Sequence, residues 1–362
     1  MTTPSRPVIV VEDDPFTRII QVVLDPEVAP ARIAAFADFF AHDLPDFTGW
    51  LTALRQRLGT LHPAHVRLVA SQEELTAALP TADAVVVEGL TVGAAELAHA
   101  PILKAVQKFG SVTANIDTAA CAARGIRVLT LRRRANIACA EHALGLMLAL
   151  ARKISETDGL ISIARLKAAG YSPKPFDRAH TANSNWARIA GIRMLANARL
   201  GILGFGEIGR ELALRAAACG MRIVYTQRRQ LAAEDEARYG ASYVPLGALL
   251  GGSDYVSLNL PGNATTRGII GRRELELMKP GAILVNVSRA ELVDRSALTE
   301  ALCSGRLGGY ATDTPYEEPG RDDDPLPAFR NVIITPHIAA QPRFNALDDF
   351  EELLLNLDQA LR

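Results

Sequence analysis

Short apolar runs alternate with stretches of helical character along much of the chain. The runs are rich in β-branched residues and bounded by Gly, Asp or Pro, which favours strands over buried helix segments. Strands that alternate with helices are typical of βαβ units, so the pattern predicts an α/β fold with parallel sheets. The expected strands are Val8 to Val11, Arg67 to Ala70, Ala84 to Val87, Arg127 to Leu129, Leu200 to Leu203, Arg222 to Tyr225, Tyr255 to Leu258, Ile283 to Val287 and Val332 to Ile334.

Three segments depart from this rhythm. Ile137 to Ile154 has an Ala/Leu/Met interior flanked by charges and is interpreted as one long helix that connects two domains. Lys167 to Asn197 contains prolines, Asn and Ser, which predicts a structured excursion rather than a helix or strand. Pro315 to Pro327 combines four prolines with acidic residues and must be a loop. Neither residues 12–62 nor 167–197 indicate a chemical role.

Composition narrows the class of protein. A chain of 362 residues with 49% apolar residues has material for two cores, so two domains are expected. The 39 basic and 40 acidic residues nearly cancel, which favours neither nucleic acid nor a membrane as partner. The start has no long apolar segment and the four cysteines form no CxxC pair, so we expect a cytoplasmic protein with reduced thiols. The seven scattered histidines offer no metal site.

A glycine motif stands between an expected strand and an Ala/Leu-rich helix. Residues 204–209 read GFGEIG, a GxGxxG pattern. Gly204 would permit the tight turn, Gly206 would let the backbone approach a pyrophosphate, and Gly209 would allow close packing of helix on strand. The helix N-terminus would then face the phosphates. Because a strand, a helix and a second strand surround the motif, a dinucleotide-binding turn is favoured over a mere glycine-containing βα turn.

The end of the next strand bears on the choice of cofactor. An acidic residue there normally holds the ribose hydroxyls of NAD, but this strand ends in Gln227, Arg228 and Arg229. A neutral Gln227 removes repulsion of a 2′-phosphate, and the two arginines could pair with it. NADP(H) is therefore the preferred cofactor, with NAD(H) as the possible alternative. A solvated surface pair is the other interpretation of the two arginines.

Polar segments follow three strands in the C-terminal half. They are Asn286 to Arg289, Asp313 to Pro319 and Thr335 to Ala339. Ligands of doubly wound sheets bind at the carboxyl ends of the strands, so these segments are expected to converge there. An imidazole and a guanidinium at one site can stabilise negative charge that develops on a substrate oxygen.

With these motifs in this order, the chain resembles the D-isomer-specific 2-hydroxyacid dehydrogenase family, and in character most of all its glyoxylate/hydroxypyruvate reductases. The resemblance covers most of the chain. The segments that carry it are Leu103-Lys104, Asn115 to Asp117, Ala140 to Ala143, the glycine motif, Leu260-Pro261 with Thr266, Met278 to Gly281, Asn286 to Arg289, Glu318-Pro319 and Thr335 to His337.

The resemblance implies a role for each site residue. His337 would be the general acid/base at the C2 oxygen, Glu318 would pair with it, and Arg289 would bind the substrate's carboxylate and carbonyl oxygen. Asp313 matches the position that holds the nicotinamide carboxamide. The expected cofactor contacts are Gly204, Phe205, Gly206, Glu207, Ile208, Gly209, Gln227, Arg228, Arg229, Leu260, Pro261, Thr266, Val287, Ser288 and Asp313. The expected substrate contacts are Ser111, Val112 and Arg289.

The implied architecture is two doubly wound parallel-sheet domains. A Rossmann cofactor domain, residues 135–335, would be inserted into a flavodoxin-like substrate domain formed by residues 1–134 and 336–362. The active site would lie in the cleft between them, and a homodimer is expected. The substrate would be a small 2-oxo or 2-hydroxy acid.

Two loops depart from the family pattern. Relatives have a glycine-rich carboxylate loop where this chain reads GSVTANID over residues 110–117, with Val112 in place of a glycine. Such a side chain would crowd the carboxylate, so the substrate is expected to be small or unusually placed. Arg132, Arg133 and Arg134 could recognise a second anionic group or form a solvated basic turn. Register favours Glu318 over Glu317 as the partner of His337.

Two other functions are open at this stage. One is a dinucleotide-sensing protein related to corepressors of this fold, suggested by the altered loop around Val112. The other is a dehydrogenase of phosphite or formate.

Overall fold

The computed structural model describes residues 6–362. The chain divides into two compact units. Unit 1 is the chain up to Asn136 together with Ala340–Arg362, and unit 2 is Ile137–Ala339.

Each unit is built on one parallel sheet. Unit 1 has the order β2-β1-β3-β4-β5, the flavodoxin-like order, and unit 2 has the order β12-β11-β10-β9-β6-β7-β8, a Rossmann sheet with a seventh strand at one edge. The two doubly wound sheets predicted from the sequence are confirmed. The strands are β1 Val8–Glu12, β2 His65–Val69, β3 Ala84–Val87, β4 Ala105–Lys108, β5 Arg127–Leu129, β6 Arg199–Leu203, β7 Arg222–Thr226, β8 Ala241–Tyr243, β9 Tyr255–Leu258, β10 Ala282–Asn286, β11 Leu307–Thr312 and β12 Val332–Ile334.

Helices connect the strands and cover both faces of each sheet. They are α1 Ile19–Leu24, α2 Pro30–Phe40, α3 Phe47–Arg57, α4 Gln72–Ala78, α5 Ala94–Ala98, α6 Thr118–Ala123, α7 Arg134–Arg152, α8 Ile154–Thr157, α9 Ile163–Ala168, α10 Glu207–Ala218, α11 Ala233–Tyr239, α12 Leu246–Gly252, α13 Arg272–Leu277, α14 Arg295–Cys303 and α15 Phe344–Leu361. Short 3-10 helices are Leu79–Thr81, Ala290–Leu292 and Leu326–Ala328.

Burial on both faces explains the continuous apolar runs. In β1, Ile9 and Val11 belong to one apolar core and Val10 to the core on the opposite face of the sheet. In β6, Ile202 and Leu203 divide in the same way between two cores of unit 2. A parallel sheet covered on both faces needs apolar residues at successive positions, since no side of the strand meets water.

Three strands were not predicted from the sequence, and one helix has other bounds than predicted. β4, β8 and β11 were not predicted, because Gln107 and Lys108, or the pair Gly308 and Gly309, interrupt or weaken the apolar pattern. The helix expected over Ile137 to Ile154 is instead α7, and it ends at Arg152. It ends there because the next residue, Lys153, has a left-handed backbone with φ of 54°.

The two predicted irregular segments are close to expectation. Residues 169–198 contain neither helix nor strand, although α9 includes the first two residues of the predicted excursion. The Pro315 to Pro327 segment is a loop that enters the short 3-10 helix Leu326–Ala328. No helix within residues 6–362 has the length and apolar content that a membrane span requires.

Candidate active site

The glycine turn after β6 has three glycines with three different surroundings. Gly204 has φ of 91°, and a Cβ there would collide with the carbonyl oxygen of Asn259. A Cβ at Gly209 would lie 2.5 Å from the carbonyl oxygen of Gly204, whereas one at Gly206 would meet nothing within 4 Å. Gly206 also caps the N-terminus of α10. The turn therefore has the open, N–H-lined cradle that a pyrophosphate needs, so the residues fit a dinucleotide.

The wall opposite the cradle is the loop after β9. β6 lies between β7 and β9, which makes the gap between β6 and β9 the topological switch point of unit 2. Leu260 packs beside Gly204, and the hydroxyl of Thr266 donates to the Pro261 carbonyl oxygen at 2.6 Å. The three residues predicted here thus frame the switch point.

Not every residue of the glycine turn faces outward. Phe205 is 1% exposed and its ring lies 4.4 Å from that of Tyr225, so this side chain supports the turn from the core and only its backbone is available to a cofactor. Ile208 is half-buried. Glu207 is half-exposed in the first turn of α10.

A tyrosine orders the turn that carries the two arginines. The Tyr225 hydroxyl donates to Glu236 and accepts from the Leu231 N–H, both at 2.8 Å. Gln227 donates to the Arg229 carbonyl oxygen at 2.7 Å. The side chains of Arg228 and Arg229 are exposed, and neither forms an ion pair with any described residue.

The segment after β10 holds Arg289 at the sheet's carboxyl edge. Asn286 donates to the Arg289 carbonyl oxygen at 2.8 Å, and the Ser288 hydroxyl donates to the Leu258 carbonyl oxygen at 2.9 Å. Val287 is buried. The Arg289 side chain donates to the Ser288 carbonyl oxygen at 2.8 Å and makes no ion pair within the described part of the chain. Its guanidinium charge is therefore not neutralised by a neighbouring carboxylate.

His337 and Glu318 are brought together by adjacent strands. His337 follows β12, Glu318 lies in the loop after β11, and the ring Nδ1 of His337 is 3.0 Å from Oε2 of Glu318. Both side chains are about half exposed. The neighbouring Glu317 instead pairs with Arg295 at 3.1 Å. Because Nδ1 contacts Glu318, Nε2 is the ring nitrogen that remains for a proton exchange with another group.

A buried carboxylate anchors the His337 loop. Asp313 is 1% exposed, and its carboxylate accepts hydrogen bonds from the Ile338 and Ala339 N–H groups at 2.9 and 2.7 Å and from the Thr335 hydroxyl at 2.6 Å. His337 itself has φ of 56°, a strained backbone for a residue other than glycine. From the family resemblance, Asp313 is expected to hold the nicotinamide carboxamide. In the structure its oxygens hold the loop.

His142 on α7 completes this network. Its Nε2 lies 2.9 Å from the Thr335 hydroxyl and 3.5 Å from Oδ1 of Asp313. His142 belongs to the segment Ala140 to Ala143, whose role could not be inferred from the sequence, and the anchoring by Thr335 was not predicted. Strand ends alone could not reveal these contacts, since α7 is distant in sequence from β12.

The predicted substrate loop belongs to unit 1. Ser111 is exposed and Val112 is half-buried after the end of β4. In the neighbouring basic turn, Arg133 pairs with Glu88 at 2.9 Å, and Arg134 pairs with Asp349 at 2.8 Å and Glu352 at 2.9 Å. Arg133 and Arg134 are therefore neither a solvated turn nor cations available to a second anion, because unit 1 supplies their counterions.

A Rossmann sheet with an open glycine cradle, an imidazole–carboxylate pair and an unneutralised guanidinium defines a dinucleotide-dependent oxidoreductase. A family model described as D-isomer specific 2-hydroxyacid dehydrogenase, NAD binding domain, matches residues 144–339. The chain belongs to the D-isomer specific 2-hydroxyacid dehydrogenase family. The protein is thus an oxidoreductase that uses a nicotinamide dinucleotide and acts on the CH–OH group of 2-hydroxy acids.

Three similar proteins illustrate this relationship. The chain is 38% identical to a glyoxylate reductase of Thermococcus litoralis over 247 residues, 67% of this chain and 70% of that protein. It is 34% identical to a D-3-phosphoglycerate dehydrogenase of Archaeoglobus fulgidus over 77% of this chain and 49% of that protein. The crystal structure of a glyoxylate reductase from Paecilomyes thermophila has a TM-score of 0.54 and 25% identity, covering 99% of this chain and 96% of the other. These relatives do not favour the sensing or the phosphite/formate alternative.

Proposed function

We propose that the protein interconverts a small 2-oxo acid and the corresponding D-2-hydroxy acid, with Arg289, Glu318 and His337 as catalytic residues. The observation that carries the proposal is the 3.0 Å contact between His337 and Glu318 beside the strand end that bears Arg289. The glyoxylate reductases among its relatives support the substrate size.

The residues divide the chemistry between them. When bound, the nicotinamide supplies or accepts the hydride at C2. In the direction of reduction, His337 donates a proton from Nε2 to the C2 oxygen, and Glu318 stabilises the protonated ring and fixes its orientation through Nδ1. Arg289 binds the substrate carboxylate and carbonyl oxygen and stabilises the charge that builds up there. In oxidation, His337 removes the same proton.

Replacement of the imidazole tests this assignment. His337→Ala should reduce kcat by at least about a hundredfold while leaving the Kd for the reduced cofactor nearly unchanged, since the ring acts on the substrate oxygen. His180→Ala is a matched control, because His180 also pairs with a carboxylate, Asp177, at 3.1 Å but lies in the irregular 169–198 segment. Full turnover in the His337 variant, or no turnover of any 2-oxo acid by the unaltered protein, would contradict the proposal.

NADP(H) is the proposed preferred cofactor, with NAD(H) as a weaker alternative. Exposed Arg228 and Arg229 without ion-pair partners in the described chain, next to a neutral Gln227, support it. Removing both guanidiniums as Arg228→Ser/Arg229→Ser should raise KM for NADPH by about ten- to a hundredfold and leave KM for NADH unchanged. Gln227→Asp should improve the use of NADH. Arg238→Ser on α11 is the control. A wild-type protein that prefers NADH would contradict this assignment.

Ser111 and Val112 of unit 1 are the proposed substrate contacts in addition to Arg289. A side chain at position 112, where relatives have glycine, restricts the space for a substrate, which agrees with a small 2-oxo acid. Val112→Gly should therefore raise kcat/KM for larger 2-oxo acids relative to that for glyoxylate. An unchanged ratio would remove Val112 from the site.

A homodimer is proposed from the family resemblance, with exposed apolar side chains as candidates for its interface. Five of them lie between residues 154 and 194, a part of the chain that is poor in regular structure. They are Ile154, Ile161, Ile163, Ile192 and Met194, with exposures from 39% to 81%. Isolated exposed apolar residues are common, whereas contiguous ones are typical of an interface, so these five are the side chains to test. Light scattering on the wild type and on Ile161→Glu/Met194→Glu should give a dimer and a monomer, respectively. A cytoplasmic location also stays a prediction.

A further inference from the structure

Two acidic residues lie at the carboxyl edge of the unit 1 sheet. β1 lies between β2 and β3 in the sheet order, so the gap between β1 and β3 is the topological switch point of unit 1. Ligands of open α/β sheets bind at such points, beyond the carboxyl ends of the strands. Here the two strand ends are acidic, since Glu12 is the last residue of β1 and Glu88 follows β3.

Glu12 fills the position that an anion would otherwise take. Its carboxylate accepts hydrogen bonds from three successive N–H groups, those of Glu88, Gly89 and Leu90, at 2.7, 2.8 and 2.9 Å. Successive N–H groups of this kind form a concave anion site. Because the protein's own carboxylate occupies it, these N–H groups are not available to a substrate carboxylate or phosphate.

Glu88 is held in one place from several directions. Its carbonyl oxygen accepts from the Lys108 ammonium and from the Asn115 amide, and its Oε1 accepts from Arg133 at 2.9 Å. The guanidinium of Arg133 lies 4.0 Å from the centre of the Phe109 ring and is only 16% exposed. These contacts preorganise the Glu88 carboxylate, as expected of a binding residue rather than of a mobile surface acid.

One face of that carboxylate is open. The Glu88 side chain is 41% exposed, and its Oε2 accepts no hydrogen bond from any residue of the described chain. Burial raises the pKa of Glu88, while Arg133 opposes this increase. The nearby Asp14 and Glu12 add negative charge, Lys108 adds positive charge beside Arg133, and the three carboxylates outnumber the two cations. A group that approaches Oε2 is therefore favoured if it donates a hydrogen bond or carries positive charge, and disfavoured if it is an anion.

We propose that Glu88 determines substrate specificity by accepting a hydrogen bond from a hydroxyl or ammonium group carried beyond C2 of the 2-oxo acid. The inference rests on the proposed function and narrows its substrate class. Hydroxypyruvate has such a donor, glyoxylate has no side chain to offer one, and oxaloacetate carries a carboxylate instead. Arg133 acts only as the fixed counterion of Glu88. Because Glu88 neutralises its charge, Arg133 does not select a substrate with an anionic side chain.

Steady-state kinetics of the full chain with its preferred cofactor tests the proposal. Glu88→Ala should lower kcat/KM for hydroxypyruvate by about tenfold or more and change the value for glyoxylate by less than about twofold. The same variant frees Arg133, so kcat/KM for oxaloacetate should rise by about tenfold. Glu88→Gln keeps the shape of the side chain and should give a smaller shift in each direction. Glu351→Ala also removes the partner of an arginine in unit 1, Arg57, and is the control. It should alter none of the three kcat/KM values.

Equal losses for hydroxypyruvate and glyoxylate would show that Glu88 only maintains the loop and would overturn the inference. Calorimetry on the cofactor-bound protein separates this failure from that of the proposed function. We expect D-glycerate to bind about tenfold more tightly than glycolate to the wild type and equally to Glu88→Ala. That result supports the role of Glu88 even if no 2-oxo acid is turned over. Equal binding of both ligands by the wild type would contradict it even in an active enzyme.

Discussion

The Nδ1 atom of His337 lies 3.0 Å from Oε2 of Glu318, and the adjacent Glu317 points to a different partner, Arg295. Two neighbouring glutamates thus differ in function because the loop after β11 directs them to different places. The pairing with Glu318 agrees with the register inferred from the sequence.

This difference allows a matched pair of variants. Glu318→Gln removes the charge that stabilises the protonated His337 ring, and we expect kcat to fall about ten- to a hundredfold, the loss of a charge-assisted hydrogen bond worth about 1.5–3 kcal/mol. Glu317→Gln breaks only an exposed ion pair and should change kcat less than twofold. Steady-state kinetics with glyoxylate checks both. Equal effects of the two substitutions would remove Glu318 from the mechanism.

The glycine turn gives a second prediction, because its glycines have different neighbours. Gly209→Ala places a Cβ 2.5 Å from the Gly204 carbonyl oxygen and should lower the melting temperature and weaken cofactor binding. In Gly206→Ala the new Cβ has no neighbour within 4 Å, and position 206 has an ordinary φ of −73°. The melting temperature should therefore change little. The new methyl group would nevertheless occupy the approach to the N–H groups, and the Kd for the cofactor should rise about tenfold or more.

Thermal unfolding and fluorescence titration with the reduced cofactor measure the two effects separately. If Gly206→Ala destabilised the protein as much as Gly209→Ala, steric freedom at position 206 would not be the reason for the glycine there.

The Asp313 carboxylate supports a third prediction. In Asp313→Asn an amide N–H₂ must face a loop N–H or the Thr335 hydroxyl, so at least one hydrogen bond is lost and a buried donor is left without an acceptor. We expect a loss of about 1–3 kcal/mol in the free energy of unfolding and a lower kcat, because the His337 backbone is no longer held in its strained conformation.

The Kd for the cofactor distinguishes the two roles of Asp313. An anchor of the loop leaves it nearly unchanged, whereas a direct contact with the nicotinamide carboxamide makes it rise along with the loss of kcat. Asp323→Asn, at an exposed acid paired with Arg321, is the control.

Much of this fold follows from local sequence pattern. Both sheets were predictable because their strands are buried on two faces and therefore form continuous apolar runs. β4 and β11 were not, because Lys108 and the Gly308-Gly309 pair resemble loop residues when burial by neighbouring strands is unknown. The glycine turn was predictable because Gly204 and Gly209 meet steric requirements of the local backbone and Gly206 leaves room for the cofactor.

The electrostatics of the sites could not be predicted in the same way. Three successive arginines suggested an anion site, yet Arg133 and Arg134 are neutralised by Glu88 and Asp349, which are 45 and 215 residues away in sequence. Asp313 was identified as a site residue, but its contacts with the 335–339 loop depend on how β11 and β12 pair. Partners distant in the chain are fixed by topology rather than by local pattern.

The Tyr225 hydroxyl makes stability depend on alkaline pH. Burial, above all, raises the pKa of Tyr225 to about 12 from about 10, with Glu236 contributing. Between these values the unfolded chain loses the phenolic proton and the folded chain keeps it. The contribution of Tyr225 is therefore fully present below pH 10 and is lost as the pH rises toward 12. The free energy of unfolding of the wild type relative to Tyr225→Phe should fall by about 1–3 kcal/mol across this window.

Urea unfolding at pH 9, 10, 11 and 12 measures the difference, and the subtraction removes the contribution of other buried tyrosines. Glu236→Gln separates the two causes. Because burial is the larger one, this variant should keep most of the pH dependence that Tyr225→Phe abolishes. If the free energy of unfolding of the wild type relative to Tyr225→Phe stayed constant from pH 9 to 12, the Tyr225 hydroxyl would ionise as readily in the folded protein as in the unfolded chain. The Tyr225 side chain would then not be buried in solution, and the turn that carries Arg228 and Arg229 would lack its support.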